Sequence, residues 1–131
     1  MANRLIESSV LLIPVLTIAE TLAYILRKEI INTWNGEKVE LNISSDEYCF
    51  CPVCGIKSDD KEWRPYDENG HPSYDICSCG FEYGFDDSGE PPYNNSWENY
   101  RKKWLKGKIE QFSGKRMTEY EKLEQLKNLE L

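Results

Sequence analysis

Two short cysteine pairs carry the clearest chemistry in this sequence: Cys51-Pro52-Val53-Cys54-Gly55 and Cys77-Ser78-Cys79-Gly80. A C-x-x-C turn aims two thiolates at one point in space, and a glycine after the second cysteine lets the backbone fold beneath it. Two such pairs, 22 residues apart and each followed by glycine, make the layout of a tetrathiolate zinc site. The expected ligands are Cys51, Cys54, Cys77 and Cys79, holding one structural Zn²⁺. The second pair, C-x-C, is one residue shorter and bites more tightly. The fifth cysteine, Cys49, is either a buried small hydrophobe or an alternative ligand. Disulfides or plain reduced thiols are the competing readings. A thioredoxin-type pair belongs at the start of a helix after a strand, and here proline and glycine surround the cysteines instead.

A closed tetrathiolate leaves no coordination position for water, so it contributes folding energy rather than Lewis-acid catalysis. Other catalytic material is thin. The one histidine, His71, sits in the loop Asn69-Gly70-His71-Pro72 and is expected to be structural or exposed. Asp86, Asp87 and Glu90 lack the order of a calcium-binding loop and are expected to form a solvated turn.

The chain that must position these cysteines has 131 residues, a mean hydropathy of -0.65 and a formal charge of -7. That is about one domain, too short for a two-domain enzyme with a nucleotide-binding half. Aromatics make up 12% of it, enough rings to argue against disorder. The charge is uneven. Residues 58–90 hold ten acidic and two basic groups, whereas residues 91–131 hold nine basic and six acidic groups. An acidic chain is repelled by phosphate backbones and anionic membranes, which disfavours non-specific nucleic-acid binding and favours a basic protein partner. Pro14 and Glu20 interrupt the apolar stretch near the start, and no clean cleavage site follows it. With an odd cysteine count that suits disulfides badly, a cytoplasmic protein with reduced thiols is expected.

The expected fold class is α+β, with an N-terminal helical segment, a small zinc-ribbon-like β region and C-terminal helices. The division is 1–47, a helix plus strand segment, and 48–131, a zinc-ribbon-like module with C-terminal helices, the two forming one compact unit. Thr17-Ile18-Ala19-Glu20 fits a capping box. Ile18, Leu22, Ile25, Leu26 and Ile30 follow at helical spacing, with Arg27 and Lys28 near the end and Asn35-Gly36 as the stop. Residues 5–16 fit either a helix bent at Pro14 or a buried strand. Val39, Leu41 and Ile43 alternate with polar neighbours and predict a strand. Residues 48–90 read as short strands and turns, with turn chemistry at Asp67-Glu68-Asn69-Gly70 and Glu90-Pro91-Pro92. Ser96 is positioned to cap a helix carrying Trp97, Tyr100 and Trp104, an aromatic stripe that reads as core, with Gly107 near its end. Thr118 is positioned to cap a last helix with Tyr120, Leu123 and Leu126.

The run from Cys51 to Gly55, then Pro65-Tyr66-Asp67-Glu68, then Ser73 through Asp87, resembles small bacterial cysteine-rich proteins of the "CPCC" type. Tyr100-Arg101-Lys102-Lys103-Trp104 and Leu123 through Asn128 look like that family's tail. The resemblance covers about residues 48–131. It departs at Cys77-Ser78-Cys79-Gly80, where the family pattern has an extra residue and often a third cysteine. Some small acidic proteins of this kind are associated with toxin-immunity loci.

The favoured reading is a non-enzymatic, zinc-stabilised protein-binding module. Its most concrete version is an immunity protein that covers the active site of a basic toxin, since opposite charge steers such partners together. Asp59, Asp60, Asp67, Glu68, Asp86 and Asp87 are the candidate contacts. The alternatives are a nucleic-acid-binding ribbon using Lys102, Lys103, Lys106 and Lys108, and a thiol oxidoreductase.

Overall fold

The structure is a computed structural model, and it describes residues 27–87 and 92–129. Its regular elements are strands β1 (Lys28–Asn32) and β2 (Lys38–Asn42), helices α1 (Tyr93–Leu105) and α2 (Glu119–Leu126), and a closing 3-10 turn, Lys127–Leu129. This is a small α+β arrangement.

The first departure from expectation is β1. Residues 28–32 continue no helix; they pair antiparallel with β2, Lys28 opposite Asn42 and Asn32 opposite Lys38. Asn35-Gly36 is therefore a hairpin turn rather than a helix stop. Thr33 N–H donates to the Glu37 carbonyl at 2.7 Å, Gly36 N–H donates to the Thr33 carbonyl at 2.9 Å, and Gly36 has a φ of 89°. Such a turn suits Asn-Gly, which tolerates positive φ. The expected capping box at 17–20 and the ambiguous segment 5–16 lie outside the described residues, as does Glu90-Pro91. The strand expected around 38–43 is present, with Val39, Leu41 and Ile43 all buried.

The inward face of β1 carries a charge. Glu29 is half-buried and receives Arg64 Nε at 2.8 Å and Arg64 Nη2 at 3.1 Å. The hydrogen bond from Arg64 leads in holding the Glu29 carboxyl below its ordinary value of 4.5, against the opposing effect of burial. A carboxyl depressed in the folded state stabilises above its unfolded pKa and stops doing so as pH falls through its folded pKa. The two side chains keep 33% and 20% exposure, so the screened contribution is about 0.5–1 kcal/mol. Glu29→Gln should lower the urea midpoint at neutral pH. The difference from wild type should vanish below the carboxylate range, and a difference that grows on acidification would be inconsistent with the pair.

The middle of the chain is built of turns joined by single bridges: Ile43 with Cys49, Phe50 with Lys57, Tyr66 with Pro72, and Ile76 with Glu82. Asp67 shapes one of them, its Oδ1 accepting the Asn69 and His71 amides at 2.9 Å each.

Helix α1 begins three residues before Ser96. Pro92 is its N-cap and offers no side-chain bond. Instead both carboxylate oxygens of Glu37, in the hairpin turn, lie 3.0 Å from the Tyr93 amide. A carboxylate there satisfies an orphan donor and suits the positive end of the helix dipole. Trp97 and Trp104 are buried, so the aromatic stripe is core. Around it Tyr66 stacks on Tyr93 with centroids 5.5 Å apart, and Phe81 meets Tyr100 edge-on at 5.0 Å. Thr118 caps α2 as expected, within a full capping box closed by Glu121. The buried face of α2 is Lys122 and Leu126 rather than Tyr120 and Leu123, which are exposed. Lys122 Nζ reaches the Trp104 carbonyl at 2.6 Å and lies over the Trp104 ring. It thereby joins the Gly107 amide, 3.0 Å away, in satisfying the Trp104 carbonyl at the C-terminal end of α1. No described helix is long and apolar enough to cross a membrane.

Candidate metal centre

Each cysteine pair stands at the tip of a tight turn flanked by a bridge. In the first, Cys51 N–H donates to the Ile56 carbonyl and Gly55 N–H to the Cys51 carbonyl, both at 2.8 Å. In the second, Cys77 N–H donates to the Phe81 carbonyl at 2.9 Å and Gly80 N–H to the Cys77 carbonyl at 2.8 Å. Gly55 and Gly80 have φ of 81° and 94°, a region open to glycine and strained for other residues. The two turns thus use the same hydrogen-bond scheme despite the shorter C-x-C spacing.

They bring Cys51, Cys54, Cys77 and Cys79 together, with the four Sγ atoms all within 4.8 Å of one another. Cys51, Cys54 and Cys79 are sealed at 1–2% exposure, and Cys77 is half-buried. A tetrahedron with metal–sulfur bonds of ~2.3 Å has edges of roughly 3.8 Å, so only a slight contraction would fit the cluster around an ion. The electrostatics favour one as well. Burial opposes charge on Cys51, yet hydrogen bonds from Cys54, Cys77, Cys79 and Tyr83 outweigh it and hold this thiol well below its ordinary value. The bonds to Cys51 lead in pushing Cys54 and Cys79 far up. Four thiols packed this closely, three of them sealed from water, cannot all ionise against one another; a divalent cation among them removes that conflict. Tyr83 O–H donates to Cys51 Sγ at 2.7 Å, and burial pushes its hydroxyl up, so the proton stays available for that bond.

Cys49 is not a member of the cluster. It is fully buried with Leu41 and Ile43, against Ile31 and Trp63, and its thiol donates to the Phe50 carbonyl at 3.5 Å. Burial pushes this thiol up to about 12. Cys49→Ser is expected to leave metal content unchanged while costing about 1–2 kcal/mol for a hydroxyl in an apolar site. Elemental analysis and thermal melts of the variant check both halves.

The cluster has a protein frame that sequence reading missed. Arg101 donates from Nε to the Val53 carbonyl and from Nη2 to the Pro52 carbonyl, both at 2.7 Å. Gln125 Nε2 and Asn128 Nδ2 donate to the Cys54 and Gly55 carbonyls at 2.9 Å. The first cysteine turn is thus gripped by α1, α2 and the closing 3-10 turn. One signal was available: Arg101 is four residues after Trp97 and three before Trp104, on the helix face that packs inward.

Of the acidic candidates, Asp59, Asp60, Asp67, Glu68 and Asp86 are exposed. Asp60 and Asp86 also accept amide hydrogens, from Glu62 at 2.9 Å and from Glu82 at 2.7 Å. Asp87 requires correction as a contact residue. It is 2% exposed, and its carboxylate accepts the Tyr66 hydroxyl and, at 3.0 Å, the Gly84 amide. It anchors the core where a solvated turn was expected. His71 is exposed in its loop, its Nδ1 4.0 Å from Asp67, and is no part of the cysteine group. Lys102, Lys103, Lys106 and Lys108 are exposed, with Lys102 paired to Glu98 at 3.3 Å.

The cluster and its frame define a buried four-cysteine site compatible with a metal ion. Scans of the chain against protein-family models, curated proteins and solved structures find no match.

Proposed function

We propose that Cys51, Cys54, Cys77 and Cys79 hold one structural Zn²⁺, and that the chain is a non-enzymatic, zinc-ribbon-like module that binds another protein. The observation that carries the metal assignment is the mutual approach of four sulfurs to within 4.8 Å on two matched turns. Bound there, zinc supplies a cross-link between the two turns, and four sulfur ligands leave it no open position for substrate or water. The resemblance of residues 48–131 to CPCC-type proteins belongs to the same reading.

The partner is a basic protein. The exposed carboxylates of Asp59, Asp60, Asp67, Glu68 and Asp86 support this, in a segment with ten acidic and two basic groups. Such a surface raises encounter rates with a positive partner and repels nucleic acid. An immunity protein that covers a basic toxin is the most concrete form of this reading. Affinity isolation from the native host at low salt, repeated with Asp59→Lys/Asp60→Lys and Asp67→Lys/Glu68→Lys, tests it. A basic protein retained by wild type and lost on charge reversal or at high salt is the expected outcome. Recovery of no salt-sensitive partner, or tight binding of DNA or RNA in a filter assay, would overturn it.

A further inference from the structure

The four thiols are not equally sheltered. Three are sealed, and Cys77 alone is half-buried. It lines a cleft of about 640 Å³, together with Trp63, Asp75, Ile76, Ser78 and Ser113. Cys51 also lines this cleft but keeps only 2% exposure. Within the cluster, Cys54 Sγ is 3.6 Å from Cys77 Sγ. A zinc-bound thiolate keeps its nucleophilic electron pair, and oxidation of such a sulfur follows its access to the oxidant.

We propose that Cys77 is the modification site of this centre: the sulfur that peroxides and other soft electrophiles reach first, with Cys54 as its resolving partner. The inference rests on the zinc reading above. The Cys77 thiolate attacks one oxygen of hydrogen peroxide. A sulfur–oxygen bond forms, the O–O bond breaks, and the departing oxygen leaves as water after taking a proton. Cys54 sulfur then attacks Cys77 sulfur. The S–S bond forms, the S–O bond breaks, and the second oxygen leaves as water with a further proton. Two thiolates give up two electrons in all, and the peroxide is reduced to two waters. The metal has then lost two of four ligands and departs.

Consequences would spread through the frame. The carbonyls of Cys54 and Gly55 hold Gln125 and Asn128, so moving Cys54 toward Cys77 pulls on the docked C-terminal helix. The centre thereby couples oxidant exposure to the packing of α2.

The test uses the full chain with its zinc content measured beforehand. Limiting N-ethylmaleimide followed by peptide mapping should place the first label on Cys77. Limiting hydrogen peroxide should release one zinc per Cys54–Cys77 disulfide formed, read with a metallochromic dye and mass spectrometry. Ser113→Trp, which narrows the cleft without touching a sulfur, should slow Cys77 labelling at least about fivefold at unchanged zinc content. First labelling at another cysteine, or zinc release with a different disulfide, would overturn the proposal. So would a Ser113→Trp labelling rate equal to wild type. A chain that carries no zinc before treatment refutes the metal reading instead, which keeps the two failures apart.

Discussion

Cys51→Ser is expected to abolish zinc binding and to dismantle the core around the cysteine turns. Cys51 is sealed in the core at 2% exposure, and its sulfur takes the Tyr83 hydroxyl at 2.7 Å. Serine keeps the shape of the side chain but is smaller and lacks the soft ligand. Structural zinc contributes an apparent ~10–16 kcal/mol to small sites at neutral pH, while a whole small domain is stable by only about 5–15 kcal/mol. Losing the metal term is therefore comparable to the whole stability of such a domain. The variant should purify without zinc, lose its near-ultraviolet circular dichroism and melt without a cooperative transition. The same substitution at Cys49 provides the internal control, since it removes a sulfur without touching the cluster. A Cys51→Ser protein that keeps a cooperative melt near the wild-type midpoint would show that the four sulfurs are not what holds these turns together.

Gly55→Ala is expected to be nearly as damaging to the fold, for a different reason. Gly55 has a φ of 81°, and an added Cβ would lie 2.5 Å from the Gln125 carbonyl oxygen and 3.2 Å from its carbon. Both neighbours are backbone, so no rotamer change relieves the contact. The left-handed conformation alone costs a non-glycine residue about 1 kcal/mol, and displacing α2 with the closing 3-10 turn adds the loss of the Gln125 and Asn128 bonds to the Cys54 and Gly55 carbonyls at about 1 kcal/mol each. A drop of roughly 3 kcal/mol follows, with zinc retained because all four sulfurs remain. Urea unfolding alongside metal analysis separates this from the cysteine variant. A neutral Gly55→Ala would mean that α2 does not rest on the first cysteine turn.

Those two residues also mark what a linear reading recovers. The four sulfurs were legible because ligand chemistry depends on residue type and short spacing, both visible along the chain. The strand around Val39 and Leu41 was legible because its alternation is clean. Strand β1 was not, and its inner face explains why. The inward positions are Glu29 and Ile31, the outward ones Lys28, Ile30 and Asn32, and Ile30 is 62% exposed. A charge faces in and a hydrophobe faces out, so the period-two pattern is scrambled, and Ile25, Leu26 and Ile30 suggest a helix instead. Pairing with β2 and the Arg64 clamp on Glu29 override that local signal. The start of α1 hides for a similar reason. Its cap is Glu37, 56 residues upstream, whereas a sequence scan finds Ser96 close by. Asp87 shows the limit for surface reasoning, because in an acidic run a carboxylate that anchors Tyr66 looks like its solvated neighbours. The frame around the cluster, from Arg101, Gln125 and Asn128, is assembled by long-range contacts to backbone carbonyls, which leave almost no trace in residue type.

The central claim is that this chain is organised around one metal ion held by four sulfurs. Elemental analysis of the protein purified without added metal or chelator tests it most directly, paired with thiol titration before and after denaturation. The expected result is one zinc per chain, all five cysteines titrating as free thiols once the chain is denatured and the metal chelated, and cooperative unfolding on stripping the metal. A folded chain with no metal, or one whose four cysteines are paired in disulfides as isolated under reducing conditions, would contradict it.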